Sequence, residues 1–331
     1  MDRMMSLKPT FSANTMSRFL LTRTISGAGL VFVVCLATFI AVTLLPGDAA
    51  NFVSGRSASP ERLAEVRERL NLNDPVAQRF LRWGLRAVQG DLGPALTSPR
   101  PVSEIITPRL RNSLILAGIA AALLVPLAVA TGALAGALAG GAMDRSLSVV
   151  SLVLLSMPEF FLGTLLAYWL GVKSHLFPPI ALFDAAQGPW SSPAVLVLPC
   201  LTLVITNLGY PARIIRANVA EAMSGRVVLT ARLNGIPEGR IVWKYALRNC
   251  LAPGIQVISL TLLYLLGGII VVENVFQFPG IGTLAVEATQ QRDLNVVLGL
   301  VATITVIYAL VMLLTDTLII LVTPKLRTLR F

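Results

Sequence analysis

The feature that most constrains this chain is an apolar run, Ile25–Leu45, that contains no charged residue. A helix rises about 1.5 Å per residue, so roughly 20 apolar residues cross ~30 Å of hydrocarbon. Five further runs meet or approach that length: Leu114–Gly141, Ser146–Val172, Pro193–Ala212, Leu251–Val272 and Leu294–Val322. Glu159 alone interrupts the third, and Asp316 alone the last. Pro193–Ala212 is the weakest, being short and carrying Pro199, Asn207 and Pro211. Lipid offers no partner to free backbone groups, so each run must be helical. The expected fold is an all-α integral membrane protein with six transmembrane helices.

Composition agrees. Of 331 residues, 55% are hydrophobic and 13% charged, about half the charged share of an ordinary soluble domain. A net charge of +10 would suit nucleic acid, but no stretch joins a basic cluster to stacking aromatics, so no nucleic-acid partner is expected. In membrane proteins, Lys and Arg in short connections mark the cytoplasmic side. With the N-terminus inside, residues 1–24, the turn Asp144–Arg145, Arg213–Asn249 and Thr323–Phe331 carry fifteen basic residues; the two short outer loops carry only Lys173 and Arg292. The expected organisation is a cytoplasmic segment 1–24, a first span 25–45 and an outer segment 46–112. A five-helix core 113–323 containing a cytoplasmic loop 213–249 follows, then a cytoplasmic end 324–331. The expected location is the inner membrane.

The first run is expected to remain a span and not a removed signal, because Leu45-Pro46-Gly47-Asp48-Ala49-Ala50 offers no small-x-small cleavage site. Cys35, Cys200 and Cys250 stand at unrelated spacings, so neither a disulfide framework nor a metal site is expected. The lone His175 reads as a solvated loop residue.

Three segments break the span pattern. In 46–112, Ser59-Pro60 is a cap-and-first-turn pair, with Leu63, Val66 and Leu70 at helical spacing behind it. Asn73-Asp74-Pro75 ends that helix, and Phe80, Leu81 and Trp83 suggest another before Gly90. This layer either meets a soluble partner or covers the bundle. In Arg213–Asn249 a helical stretch is expected over Ala217–Leu233, with Gly235 permitting a sharp turn and Pro237 opening a second helix. Arg240, Lys244 and Arg248 then form a basic stripe. The segment is either a loop on anionic headgroups or a hairpin that docks into another protein's groove. In Gln277–Asp293, Phe278-Pro279-Gly280-Ile281-Gly282 suggests either a bent, re-entrant segment or an ordinary turn.

Several residues inside the runs are site candidates. Gly132, Gly136 and Gly140 form a ladder along which another helix can approach closely. Glu159 is ionisable within a span, so it should face protein or water, unless it sits shallow enough to be solvated. Glu273 is a second pathway candidate nearer a span end, as is Asn207, whose amide could instead satisfy backbone freed by Pro211.

Beyond these patterns the chain resembles a known family. Thr230-Ala231-Arg232-Leu233-Asn234-Gly235, followed by Ala246-Leu247-Arg248-Asn249 and Leu251-Ala252-Pro253, resembles the cytoplasmic "EAA" loop of binding-protein-dependent ABC permeases. Thr-Ala-Arg in place of Glu-Ala-Ala is the form usual in the oligopeptide/dipeptide/nickel branch. Leu44-Leu45-Pro46-Gly47-Asp48, Leu70–Pro75, Phe80–Trp83, Gly90–Gly93, Ser156–Phe160, Val271–Phe276 and Phe278–Gly282 follow that branch in order. The likeness is to the dipeptide-permease B type. A C-terminal Asp-Pro-Arg is replaced here by Thr323-Pro324-Lys325, so any role of that Asp does not carry over.

The resemblance implies a type I ABC importer permease fold and partners to match: a second homologous permease, two ATPase subunits or domains, a soluble extracytoplasmic substrate-binding protein and membrane lipid. Thr230, Ala231, Arg232, Gly235 and Pro237 would belong to the ATPase-coupling loop, with Ala231 small for the partner's groove and Gly235 for its turn. No cofactor is expected on this chain. A phosphate-cradling loop needs Gly-Lys-Ser/Thr, and the four lysines follow Leu7, Val172, Trp243 and Pro324. ATP would therefore be bound by the partners, and the chain is expected to be a transporter subunit and not an enzyme. A secondary transporter would want paired broken helices, and an intramembrane enzyme convergent catalytic groups. Neither is legible.

Overall fold

The computed structural model describes residues 13–44, 59–69 and 73–322. The first twelve residues, Leu45-Pro46-Gly47-Asp48, Leu70-Asn71-Leu72 and Thr323-Pro324-Lys325 lie outside the described residues. Helices account for nearly all regular structure: α1 (Ala13–Leu44), α2 (Pro60–Arg69), α3 (Val76–Val88), α4 (Val102–Ala137), α5 (Ala142–Ser156) and α6 (Glu159–Leu166). Then follow α7 (Val197–Met223) and α8 (Arg226–Leu233). The next helix, α9, is assembled from Glu238–Arg240, a π-helical stretch Ile241–Ala246 and Leu247–Asn249. After it come α10 (Leu251–Phe276), α11 (Ile281–Gln290) and α12 (Leu294–Val322). Among the described residues five helices are long and apolar enough to cross a membrane, and α5 with α6 and its π-helical continuation Ala167–Lys173 is a sixth when the bent pair is counted as one span.

α4 and α7 form the most extensive helix pair, and α7 also packs on α5 and α10. Two glycines explain the closeness. A Cβ on Gly132 would lie 2.7 Å from the Ala212 carbonyl oxygen, and one on Gly136 would lie 2.7 Å from that of Arg216. Lipid gives helices no hydrophobic reason to associate, so dispersion across such a seam, unobstructed by side chains, must supply the attraction. Gly140 does not continue the ladder. Its φ is +85° and nothing would lie within 4 Å of its Cβ, so it serves the turn into α5. The expected third rung is a backbone requirement instead.

Four other expectations are corrected. The second span was expected at Leu114–Gly141, but its helix begins at Val102. Hydropathy marks where hydrocarbon starts, whereas the helix continues beyond it, taking in the last eleven residues of the expected outer segment. The third span is broken at Met157-Pro158, where its halves meet at 100°. Proline disfavours helical geometry in the residue before it, and Met157 is extended at ψ 122°. Conversely α7 runs through Pro211 to Met223, so Ala217–Met223 belongs to the span, and the following helix begins only at Arg226 after a turn at Ser224-Gly225. Gln277–Asp293 is mostly helix: Gln277 takes a left-handed conformation (φ 52°), and α11 follows at once.

α1 packs mainly on α12. Arg23 and Asp316 meet across that pair at 3.0 Å, which accounts for the charge in the last span.

Candidate functional site

α4 connects two sites at its opposite ends. From Ser113 to Gly136 it climbs about 35 Å.

The first site surrounds Glu273, near the end of α10. Glu273 is fully buried. The Ser113 hydroxyl of α4 donates to its Oε1, and the Gly282 N–H donates to its Oε2 at 2.6 Å. The Ser113 oxygen in turn accepts the Ile281 N–H at 2.8 Å. The carboxylate thus sits at the N-terminus of α11, where free N–H groups and the helix dipole favour negative charge. Two glycines make the seat. A Cβ on Gly280 would clash with the Glu273 carboxylate, and one on Gly282 would lie 2.9 Å from it. Asn112 donates to the Pro279 carbonyl at 3.0 Å and to that of Ala185 at 3.2 Å, while Arg109 donates to Thr283 Oγ1 at 3.1 Å. Glu273 locks α10, α11 and α4 together.

Beside it a second lock holds the segment before α4. Asp293 is buried, and its Oδ2 accepts the N–H groups of Leu96 at 2.8 Å and Thr97 at 2.9 Å, together with the Thr97 hydroxyl at 2.9 Å. Ser113 and Asp293 were absent from the sequence candidates. No local signal marks Ser113, whose partner lies 160 residues away.

Midway along the bundle stands Glu159, the first residue of α6 after the break. It is half-buried, and the Asn207 amide donates to its Oε1 at 3.4 Å. Gly268 of α10 faces it closely enough that a Cβ there would meet the carboxylate. The structure therefore brings Glu159 and Asn207 together and leaves Glu273 elsewhere. Asn207 also donates to the Leu203 carbonyl at 3.0 Å. The carbonyl freed by Pro211 is Asn207's own, so its amide is not patching that gap.

At the far end of α4, α8 and α9 form the hairpin. α8 ends in a Schellman turn: the Gly235 N–H donates to the Arg232 carbonyl at 2.9 Å and the Ile236 N–H to the Ala231 carbonyl at 3.1 Å. Gly235 has φ +72°, a region side-chain-bearing residues enter only with strain. Pro237 caps α9. Arg232 forks onto Glu238 at 2.6 and 3.2 Å, which holds the Glu238 carboxyl below its ordinary range. The Thr230 hydroxyl donates to the Arg226 carbonyl at 3.0 Å.

Ala231 faces inward. It is 4% exposed, in one cluster with Val228, Ile241, Val242 and Ala246 and with Val219 and Met223 of α7. Its small size serves this chain's own packing. The outward apolar residues are Val227, Leu229, Leu233 and Trp243, with Leu233 80% exposed. Arg240, Lys244 and Arg248 are exposed as well. Asp144, at the turn after α4, accepts from Arg216 of α7 at 2.8 and 2.6 Å and from the Gly140 N–H at 2.8 Å. The hairpin's core is thus continuous with a clamped α4–α7 pair.

A six-span helical bundle with interior carboxylates bonded within the chain and a rigid hairpin at one end is built as a multi-pass transport permease. Residues 128–328 match the family model "Binding-protein-dependent transport system inner membrane component", and residues 16–107 match the N-terminal model of such membrane components. The chain belongs to this family of ABC transporter permeases. A protein of Sinorhizobium fredii named as a peptide ABC transporter permease is 31% identical over 94% of this chain and 100% of its own length. A Brucella abortus protein named for a peptide transport system is 30% identical, over 94% of this chain and 99% of its own. A glutathione transport system permease of Escherichia coli is 32% identical, over 90% and 94%.

Proposed function

We propose that this chain forms half of a translocation pathway for peptides or similar small solutes and is driven through its α8–α9 hairpin by two ATPase subunits or domains. A second homologous permease supplies the other half, and a soluble extracytoplasmic protein delivers the solute. The N- and C-termini and the hairpin lie on the cytoplasmic side, as the basic bias of the short connections requires. ATP is bound by the partners.

The observation that carries this reading is the hairpin. It presents exposed Leu233 at a turn locked by Gly235, while Val228 and Ala231 on its inner side are fused to the core of α7. A push on Leu233 is transmitted to α7 and, across the glycine seam, to α4, because packed cores shift as units. Glu159 supports the pathway. A carboxylate on a lipid-facing surface costs about 2.5–3.5 kcal/mol at mid-membrane. Its face of α6, α7 and α10 is therefore covered by water or by the second permease.

The test is retention of the ATPases. Burying Leu233 contributes about 1.5–3 kcal/mol, so Leu233→Asp should weaken ATPase co-purification by about tenfold or more while the chain still inserts. Undiminished co-purification would remove the hairpin from the coupling interface.

A further inference from the structure

We infer that α3 is an interfacial helix whose Leu81–Leu85–Val88 ridge lies in the acyl-chain boundary of a bilayer bearing anionic phospholipid, with Arg82 and Arg86 at its headgroups. α3 carries three distinct stripes. Phe80 is buried, and its ring meets Phe32 and Phe39 of α1 with centroids 5.8 and 5.3 Å apart. Leu81, Leu85 and Val88, at spacings of four and three, share another stripe and are 61%, 68% and 90% exposed. Arg79, Arg82 and Arg86 occupy the third. Arg79 lies over the Phe39 ring and Arg82 pairs with Asp74 at 2.6 Å, while Arg86 has no ion pair among the described residues.

A water-facing helix has no use for a second apolar stripe beyond the one it packs with, so something apolar must cover this ridge. Location names the occupant. α3 is seated through Phe80 against α1 within its apolar span, where α1's own Phe32, Val33 and Ile40 are 56%, 60% and 44% exposed. The lipid that covers α1 there adjoins α3. The arginine stripe complements anionic phosphates, and basic-plus-apolar faces on one helix are the pattern of helices lying in an interface. This inference is independent of the hairpin's role.

The test uses the assembled transporter in nanodiscs containing phosphatidylglycerol. The native cysteines among the described residues are all buried, so a single added cysteine can be read. Leu85→Cys should react with a charged maleimide about tenfold slower than Gln187→Cys, an exposed position in the loop before α7, and a bimane attached at Leu85→Cys should be quenched by lipid carrying a nitroxide near the headgroup. Equal reactivity of the two positions would overturn the inference in favour of a water-facing helix. Slow reaction without lipid quenching, or protection only when the substrate-binding protein is added, would overturn it in favour of a protein-covered face.

Discussion

The Gly282 N–H donates to the Glu273 carboxylate at 2.6 Å, closing a turn in which Gly280 has no room for even a methyl group. A charged side chain within a span is thereby consumed by the fold. Removing it as Glu273→Ala strands the Gly282 N–H, costing about 1–3 kcal/mol, while the Ser113 hydroxyl keeps the Arg109 carbonyl at 3.2 Å as its acceptor. Thermal unfolding of the purified complex should show a clear loss for Glu273→Ala and a smaller one for Ser113→Ala. Equal midpoints for Glu273→Ala and wild type would show that the lock carries no weight.

The glycine ladder separates two kinds of requirement. Gly136→Leu must push α7 away, and overpacking of this kind costs about 1–3 kcal/mol or more. Gly140→Ala meets no neighbour and costs only its φ of +85°, about 1–2 kcal/mol. Yield of folded complex should collapse for Gly136→Leu and fall modestly for Gly140→Ala. The reverse order would contradict the seam.

Asp293 ties the chain before α4 to the start of α12. Asp293→Ala should leave the span bundle intact and raise amide hydrogen exchange at Leu96 and Thr97, whose N–H groups lose their acceptor. Unchanged protection there would mean that those groups are held by other contacts.

Much of this fold was legible beforehand, for a physical reason. Membrane spans are set by length against hydrocarbon thickness, so a helix starting at Leu294 and running through Val322, the last described residue, was legible. Apolar length, however, does not distinguish a straight span from one broken by 100° at Met157-Pro158, nor does proline alone say that Pro211 leaves α7 continuous. The turn at Gly235 was visible because its constraint is local. The lock at Glu273 was not legible because its partner Ser113 lies 160 residues away, nor was the inward packing of Ala231, because an inward and an outward alanine look alike in sequence.

Glu159 separates pathway from scaffold. If the solute passes it, Glu159→Ala lowers uptake while complex yield and ATPase retention stay at wild-type levels. A fall in yield in step with uptake would make its contact with Asn207 a structural one, and normal uptake would take it off the pathway.

The central claim is that ATP hydrolysis reaches the membrane through the turn at Gly235. Gly235→Leu has open space around it but must hold φ near +72°, at about 1–2 kcal/mol, so the chain should insert while the turn is distorted. The most direct measurement is solute uptake by reconstituted Gly235→Leu transporter, paired with cysteine cross-linking from Leu233→Cys to the ATPase surface in the otherwise wild-type complex. The account predicts loss of uptake in the first and an efficient cross-link in the second. Full uptake by Gly235→Leu, with no cross-link from any position between Ala231 and Glu238, would contradict it.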